Sequence, residues 1–288
     1  MTFRIHTHGR LQEWIADANG YFADAGLTDY TLGQVEVASF DASTQDDPSG
    51  AYQTYEKGRD ASISCACHWT VNMAASNAHG RLWGDAYSVS PCGIFVPADS
   101  AIRTLGDLAG VTIDVGYQSG SHYATIQALE TAIAPDRIKL NFAGSPDQRL
   151  ARLDRGEAAA STLFGIQLYI AEQLGFRKIA DTSFMIIGLV PDGVDADDVR
   201  KYYAALRRAQ HDIDLHHQQY AHFYLNEVPA IYHDRINVGA FGPGERIVFE
   251  TYSPAMYDKT HQWVEDRAIF DDAKIGQASY AAAALNAG

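Results

Sequence analysis

The residues best suited to chemistry lie in the segment GRDASISCACHW, where a strand pattern runs into a helix pattern. Cys65, Cys67 and His68 fall within four positions of each other there. A thiolate with an imidazole base within hydrogen-bond reach is the arrangement of a nucleophilic cysteine. Buried cysteines also serve as small core residues, so this segment leaves both a catalytic and a structural interpretation open.

Two further histidines, His6 and His8, lie on the N-terminal strand pattern FRIHTHG. Residues i and i+2 of a strand share a face, so His6 and His8 should point together, as should Cys65 and Cys67. If the first and third strands are neighbours, these side chains meet at adjacent strand ends, with His68 on the following turn. Acid–base catalysis by His68 and His8 is then a second possibility beside a cysteine nucleophile. A zinc or iron site is a third, with the candidate ligands His6, His8, Cys65 and His68.

The elements that must position these residues alternate in type along the first 190 residues. Strand patterns such as VTIDVG and IKLNFAG alternate with helix patterns such as SHYATIQALETAI, which is typical of a parallel sheet covered by helices. A single helix is predicted over RLQEWIADANGYFADAG. Beyond Asp195 the pattern is mostly helical. The layout predicts two α/β lobes, with residues 1–94 and 186–288 in lobe I, which carries the C-terminal helices, and residues 95–185 in lobe II.

The segment GYQSGSHY in the second lobe is a candidate anion site. A strand pattern ends at Gly116 and a helix pattern follows it. Free backbone N–H groups and the dipole at a helix N-terminus attract an anion, and serine hydroxyls add hydrogen-bond donors. The predicted ligand contacts are Tyr117, Ser119, Gly120, Ser121 and His122, together with His6, Gly9 and Trp69 from the first lobe. Arg10, Arg59, Arg81 and Arg149 are further possible anion partners.

The composition limits the partners. The 288 residues carry a formal net charge of −14, which argues against a nucleic-acid partner. No run approaches the roughly 20 apolar residues that span a bilayer. A strand pattern that begins almost at Met1 and an odd number of cysteines, three, favour a cytoplasmic location. A periplasmic location is the alternative, if a signal peptide has been removed.

Four phrases, ANGYFADAGL, KGRDASI, SAIRTLGDLAGVTIDVGYQSGS and RLARLDRGEAAASTLFGIQLYIAEQLGF, resemble the solute-binding proteins for nitrate, sulfonates and taurine. This group includes the thiamine-pyrimidine synthase of yeast. The resemblance covers about residues 3–190 and implies a two-lobed, type II periplasmic-binding-protein-like fold. Val111 stands where the family usually has Lys, and the later Gly-Glu-x-Asp-Ala element has Ala in place of its Asp.

Two enzymatic relatives of that fold differ from this chain at the residues that matter. The resemblance places His68 where the pyrimidine synthase has the histidine that it consumes, but Ser64 where it has the lysine that holds pyridoxal phosphate. Pyridoxal phosphate is therefore not expected. The aryl-sulfinate desulfinase keeps a nucleophilic cysteine in the loop after its first strand, where this chain has His8.

These observations lead to an expectation about function. The protein is expected to bind a small anionic or aromatic organic molecule in the cleft between the lobes. We expect it to act on that molecule as a cytosolic lyase or hydrolase of a carboxylate, sulfinate or sulfonate, with His68, His8, Cys67 and Cys65 as catalytic candidates. The alternative is a non-catalytic substrate-binding component of an ABC importer, which would dock on a membrane permease. No cofactor is predicted, and a transition metal is left open.

Overall fold

The computed structural model describes residues 2–34, 50–271 and 274–286. Its strands are β1 (Phe3–Thr7), β2 (Tyr30–Gln34), β3 (Ser64–Cys67), β4 (Arg81–Trp83), β5 (Tyr87–Ser90), β6 (Cys92–Val96), β7 (Thr112–Val115), β8 (Lys139–Phe142), β9 (Ala160–Phe164), β10 (Arg177–Asp181), β11 (Phe184–Val190), β12 (Arg246–Val248) and β13 (Ala284–Leu285). Its α-helices are α1 (Leu11–Ala18), α2 (Tyr21–Asp24), α3 (Ala51–Glu56), α4 (His68–Ser76), α5 (Gly120–Leu129), α6 (Pro146–Asp154), α7 (Ile166–Gln173), α8 (Ala196–Tyr220), α9 (Pro254–Glu265) and α10 (Tyr280–Ala283). Short 3₁₀ helices cover Leu105–Leu108, Pro135–Arg137, Ala221–Asn226, Ala230–Arg235 and Val238–Ala240.

One sheet is built from the strands between residues 92 and 181, in the order β10-β6-β9-β7-β8. β7 is parallel to β8 and β9, whereas β6 is antiparallel to β9 and β10. Ile94, Ile113 and Val115 belong to its buried apolar core. Because β7, β8 and β9 are parallel, their carboxyl ends lie at one edge of the sheet. The loop after each of these strands leads into α5, α6 or α7, and this is the edge where α/β sheets bind ligands.

A second sheet has the order β12-β5-β11-β4-β13, with β3 also paired to β11. The β1–β2 pair lies beside it, and a parallel bridge joins Ile5 to Ile63 just before β3 begins. The expected neighbourhood of the first and third strand patterns is therefore present. Strands β6 and β11 run across the predicted lobe boundaries at 94/95 and 185/186, and the division into residues 1–94 with 186–288 and residues 95–185 stays a prediction.

The first helical pattern forms two helices rather than the single helix that its apolar spacing predicts. α1 ends at Ala18, and Gly20 has a φ of +71°, in the left-handed region. Glycine adopts this conformation without the steric cost that a Cβ would add. The helical hydrogen-bond pattern therefore ends at Asn19 and Gly20 and restarts at Tyr21.

The sequence pattern also missed several strands. β4, β5 and β10 are only three to five residues long, and the predicted helical C-terminal part contains β12 and β13. Segments this short carry little period-two signal of their own, and pairing with longer strands determines them. The predicted strand YTLGQVEVASF is observed as β2 up to Gln34, and the rest of it lies outside the described residues.

The longest of the described helices, α8, covers the second sheet and packs against α1 and α2. Its buried face includes Val199, Tyr202 and Leu206, while charged residues such as Arg200 and Arg207 lie on its other faces. It is therefore amphipathic. None of the helices in the described ranges is long and apolar enough to span a membrane.

The contact of α2 with α8 gives a test of this core. Phe22 is fully buried, with its ring 4.8 Å from that of Tyr30 and stacked on that of Tyr202 at 6.0 Å. Phe22→Ala should lower the free energy of unfolding by about 3–5 kcal/mol, because it leaves a cavity among rigid rings. Urea denaturation followed by circular dichroism measures this loss. Ile231→Ala is the matched control, since Ile231 is 67% exposed and its truncation should change stability by less than about 1 kcal/mol.

Candidate ligand-binding site

A cavity of about 400 Å³ lies between the parallel strand ends of the first sheet and the neighbouring second sheet. This volume is typical of a pocket for a small organic molecule. On the first side its lining residues are Gly116, Ser119, Gly120, Gly144, Ser145, Pro146, Asp147, Arg149, Phe164, Gly165, Ile166 and Gln167. The other side is lined by Thr7, His8, Gly9, Ala51, Arg59, Cys65, Ala66, Cys67, Ser90, Phe184 and Ile186. The remaining lining residues are Tyr169, Tyr224, Asn226, Glu227, Gly244 and Glu245.

Arg149, on α6, is the most informative of these residues. Its side chain is almost fully buried, with Nε donating to the carbonyl of Thr162 at 3.2 Å and Nη1 to that of Gly144 at 2.6 Å. Its Nη2 is buried and has no hydrogen-bond partner among the described residues. Burial lowers the pKa of Arg149 to about 10, so the guanidinium remains charged at neutral pH. A buried cation with an unused donor in a cavity wall is suited to receive an anion.

Helix N-termini surround the same part of the cavity. Ser119 and Gly120 begin α5, Ser145 caps α6, and Gly165 precedes α7. The first turn of a helix has backbone N–H groups without intrahelical acceptors, and the helix dipole favours negative charge there. Three such ends therefore add to the positive potential around Arg149.

Two glycines allow the close packing at this end. A Cβ at Gly116 would lie 2.9 Å from Nη1 of Arg149 and 2.8 Å from Oγ of Ser119. A Cβ at Gly120 would overlap the ring of Phe184. Larger residues at these positions would displace the guanidinium or separate the start of α5 from the second sheet.

A buried network of charges reaches the opposite wall of the cavity through Glu245, which lines it. Arg10 donates from Nε and Nη2 to Glu13 at 2.7–2.9 Å and from Nη1 to Glu245 at 2.6 Å. Tyr202 also donates to Glu13, and Ser88 donates to Glu245. Burial disfavours the charge on Glu245, but His8, Arg10 and Ser88 outweigh it and lower the pKa of Glu245 to about 2. Glu245 is therefore ionised across the physiological range.

His8 is oriented by this network. Its Nδ1 hydrogen-bonds to Oε2 of Glu245 at 2.9 Å, and the residue lines the cavity. A carboxylate that binds one ring nitrogen holds the imidazole in a single orientation. Among the predicted catalytic residues at the cavity, His8 is thus the one whose side chain a carboxylate orients.

Glu227 lies next to His8 and also lines the cavity. One of its carboxylate oxygens packs on Gly9, where an added Cβ would lie 2.7 Å from it, and Gly9 has a φ of +67°. Within the described residues this carboxylate has no hydrogen bond or ion pair. Burial raises the pKa of Glu227 to about 7, an effect that His8 opposes and that Asp147 and Glu13 reinforce.

The thiols of Cys65 and Cys67 share a face and line the cavity, as their spacing in the strand predicts, but both are buried. Burial raises the pKa of Cys65 to about 12, and a donor from Arg10 lies 3.7 Å from its sulfur. Burial raises the pKa of Cys67 to about 11, and its thiol donates to Oγ1 of Thr70 at 3.1 Å. Neutral thiols are weak nucleophiles, so this geometry favours a packing role.

His68 does not line the cavity. It is the first residue of α4, where its Nδ1 is 3.1 Å from the carbonyl of Met185 and its ring packs on Trp69. Burial lowers the pKa of His68 to about 4, so it is neutral at pH 7. The change from strand to helix after Cys67 turns its side chain away from the face that the two cysteines share.

Five other predicted contacts also lie outside the cavity lining. Trp69 packs between Tyr123 and Trp263 in the core. Tyr117 packs edge-on to the ring of Phe142. The remaining three are His6, Ser121 and His122. His6 precedes the end of β1, the hydroxyl of Ser121 accepts from the N–H of Gly116, and Nδ1 of His122 accepts from the N–H of Gln118.

The metal interpretation has no support in the structure. The four candidate ligands His6, His8, Cys65 and His68 do not converge. His6 lies within β1 and His8 follows its end, while His68 turns toward the carbonyl of Met185 at the start of α4. In the described ranges, no three His, Cys, Asp or Glu side chains form a group that could hold a metal ion.

The cavity lining includes His8, Gly9, Cys65, Cys67, Ser119 and Gly120 from the sequence analysis, and their catalytic and binding roles stay predictions. It also includes Glu227 and Glu245, which the sequence analysis missed. Both glutamates come from the C-terminal part, where irregular segments between α8 and α9 return to the cavity. No local motif marks them. Arg149 appeared only as one of four possible anion partners, and its buried, unused donor distinguishes it from the other three.

No family model matches the sequence, and no curated protein matches it significantly. Solved structures do match the fold. The alkanesulfonate-binding protein SsuA from Xanthomonas axonopodis pv. citri, bound to MOPS, has a TM-score of 0.73 and 15% identity, over 99% of this chain and 98% of that chain. The ligand-binding component of an ABC-type import system from Staphylococcus aureus, with zinc bound, has a TM-score of 0.69 and 11% identity, over 99% and 97%. The desulfurization enzyme DSZB has a TM-score of 0.65 and 15% identity, over 99% and 96%.

The fold is that of the two-lobed periplasmic solute-binding proteins. The fold class expected from the sequence is confirmed, and the resemblance to the sulfonate-binding group is confirmed as a shared fold. Binding proteins and an enzyme both have this fold, so at these identities it does not decide between the two activities.

The unpartnered Glu227 predicts a pH-dependent cost in stability. Below about pH 4.5 its carboxyl is protonated in both the folded and the unfolded state. As pH rises toward 7 only the unfolded state ionises, so stability is lost over this interval. Glu227→Gln should therefore have a free energy of unfolding about 1–3 kcal/mol higher than that of the wild type at pH 8, measured by urea denaturation. At pH 4 the two free energies should differ little. Glu250→Gln, at an exposed position, should show no such dependence.

The buried thiols predict low reactivity. At pH 7.5 a chromogenic disulfide reagent should label Cys65, Cys67 and Cys92 slowly in the folded protein, because burial raises the pKa of all three. When the protein is unfolded in guanidinium chloride, all three thiols should react at once and release three equivalents of the chromophore per chain. Fast labelling of one thiol in the folded protein, mapped to Cys65 or Cys67, would restore the hypothesis of a nucleophilic cysteine.

Proposed function

We propose that the protein is a binding protein for a small organic anion, which the guanidinium of Arg149 receives in the cavity. The observation that carries this proposal is the unused Nη2 of Arg149, buried in the cavity wall. Removing a guanidinium from water costs several kcal/mol, and two backbone carbonyls repay it only in part. A bound carboxylate, sulfinate or sulfonate would supply the missing acceptor and the missing charge.

The helix N-termini support the same assignment. Ser119 and Gly120 at the start of α5 line the cavity beside Arg149 and offer backbone donors to a second anion oxygen. The alkanesulfonate-binding protein with the same fold is a natural precedent for an anionic ligand. This chain's ligand class is therefore proposed to be an organic anion of a size that fits about 400 Å³.

The binding role is preferred to a cysteine-dependent enzyme because the residues that favoured catalysis are not poised for it. His68 lies outside the cavity and the thiols of Cys65 and Cys67 are neutral. A membrane permease as partner and a periplasmic location are part of this proposal. One structure with this fold is the ligand-binding component of an ABC-type import system, and periplasmic sulfonate-binding proteins also match the fold.

A lyase or hydrolase is the second candidate, and the His8–Glu245 pair is the observation that favours it. An imidazole oriented by an ionised carboxylate is a common acid–base arrangement. Incubating the protein with each anion that it binds and following the solution by NMR separates the two candidates. Unchanged ligand after many hours supports a receptor, and a new product that disappears in His8→Ala supports an enzyme.

The proposal predicts that Arg149→Met weakens anion binding. Titration calorimetry with a panel of short alkanesulfonates, arenesulfinates and carboxylates should find ligands for the wild type. Their affinity should fall at least about 30-fold in the variant, because a charged hydrogen-bond partner worth about 2 kcal/mol or more is lost. Arg155→Met is the control, since Arg155 follows the same helix, is exposed and pairs with Glu157.

Circular dichroism should show that both variants are folded at the titration temperature. Equal affinities in wild type and Arg149→Met would contradict the proposal, and so would a wild type that binds no member of the panel.

A further inference from the structure

Gln118 lies between β7 and α5, immediately before Ser119 and Gly120, which line the cavity. It is buried, and its backbone has a φ of +42°, in the left-handed region. A residue with a Cβ disfavours this conformation, which persists where the surrounding contacts hold the backbone in it. The direction in which α5 begins is therefore set by the groups that hold Gln118.

Three segments from elsewhere in the chain hold Gln118. Its side-chain carbonyl accepts from Nε2 of Gln53 on α3 at 2.6 Å, and its side-chain amide donates to the carbonyl of Ile269 at 3.1 Å. Its backbone carbonyl accepts from Oγ1 of Thr70 on α4 at 3.0 Å. Ile269 is 151 residues away along the chain and follows α9. The C-terminal part of the protein thus contributes directly to the loop that begins α5.

The same C-terminal segment is attached to the other end of α5. Arg267 donates from Nε and Nη2 to the two carboxylate oxygens of Glu130, at 2.5 and 2.6 Å, and Glu130 follows the last residue of α5. The guanidinium of Arg267 also lies 4.3 Å from the ring centre of Trp263. A bidentate pair between arginine and a carboxylate fixes the orientation of both groups. Residues 267–269 therefore reach both ends of α5, one through Glu130 and the other through Gln118.

Aromatic packing fixes the body of α5 independently of this ion pair. Tyr123 on α5 is fully buried, with its ring 6.4 Å from that of Trp263 on α9 and 5.3 Å from that of Trp69 on α4. Such close-packed rings hold the helix in place. Loss of the Arg267–Glu130 pair should consequently release residues 267–269, and with them Gln118, without displacing the whole helix.

We propose that residues 267–269 position the anion site through Gln118. The ion pair with Glu130 keeps the carbonyl of Ile269 where it accepts from Gln118, and Gln118 in turn sets the orientation of the first N–H groups of α5. This inference rests on the proposed function, because the site that is positioned is the one assigned there to an anion. Gln118, Arg267 and Glu130 lie outside the cavity lining, so they are positioning residues.

Arg267→Met should weaken anion binding although Arg267 does not line the cavity. For those of propane-1-sulfonate, benzenesulfinate and butanoate that the wild type binds, titration calorimetry at pH 7.5 should show a loss of about three- to tenfold, as for one hydrogen bond. Arg208→Met is the matched control. Arg208 pairs with Asp24 at 2.7 Å and lies over the ring of Tyr21, but it joins α8 to α2 rather than to α5. Its replacement should leave the affinity unchanged.

A double-mutant cycle separates this coupling from a general loss of structure. Glu130→Gln should reduce the affinity as Arg267→Met does, and the double variant should bind no more weakly than either single variant, because all three lack the same ion pair. Losses that add in the double variant would contradict coupling through this pair. Circular dichroism should show that every variant is folded at the titration temperature.

Hydrogen exchange measured by mass spectrometry tests the inference without a ligand. In Arg267→Met the backbone amides of residues 116–121 should exchange at least about fivefold faster than in the wild type, because local opening of the loop costs less. The amides of residues 124–129, in the body of α5, should exchange as in the wild type. Unchanged exchange at residues 116–121 would overturn the role of residues 267–269.

The outcomes distinguish this inference from the proposed function. If an anion binds the wild type and loses affinity in Arg149→Met but not in Arg267→Met, the positioning role is overturned and the anion-binding function stands. If affinity falls and exchange at residues 116–121 rises in Arg267→Met, while Arg208→Met changes neither, the positioning role is supported. If none of the anions binds the wild type, the proposed function fails, and the positioning role fails with it.

Discussion

The site depends on the burial of one guanidinium in a place where the protein supplies only part of its hydrogen bonding. Arg149 reaches from α6 back across the strand ends, and two of its donors bind the carbonyls of Thr162 and Gly144. Gly116 leaves room for it, and Gly120 brings the start of α5 against Phe184 on the other sheet. The parallel strands β7, β8 and β9 make this possible, because they deliver three loops and three helix N-termini to one edge.

The buried charges near the opposite wall of the cavity pair with one another, unlike Arg149. Arg10, Glu13 and Glu245 are all buried, and they satisfy one another with additional hydrogen bonds from Ser88 and Tyr202. Removing one member of such a network leaves an uncompensated charge, so the network holds the start of α1, α8 and the segment around Glu245 in one arrangement. The hydrogen bond to Glu245 fixes the orientation of the His8 imidazole. Glu227 does not belong to this network, and its carboxylate is left facing the cavity.

The contrast between Cys65 and Arg149 explains why binding is favoured over covalent catalysis. Both are buried at the cavity, and burial opposes the charged form of each. For the thiol the result is a neutral group, because its pKa rises to about 12. For the guanidinium the pKa falls only to about 10, so its charge persists and is available to a ligand. The same desolvation therefore leaves the thiol of Cys65 neutral, whereas the guanidinium of Arg149 keeps its charge.

The sequence by itself determined the fold class, because alternating strand and helix periods report local burial, and it predicted the loop at Ser119 and Gly120 because a helix N-terminus is a local feature. It also placed Cys65 and Cys67 on one face, since strand geometry is local. It could not predict that His68 turns away as α4 begins, that Asn19 and Gly20 divide the first helix, or that Glu227 and Glu245 return to the cavity from far along the chain. The return of Glu227 and Glu245 and the unused donor of Arg149 are relations between groups distant in sequence. Only the packed tertiary structure decides them, because solvation and pairing of a charge depend on every element around it.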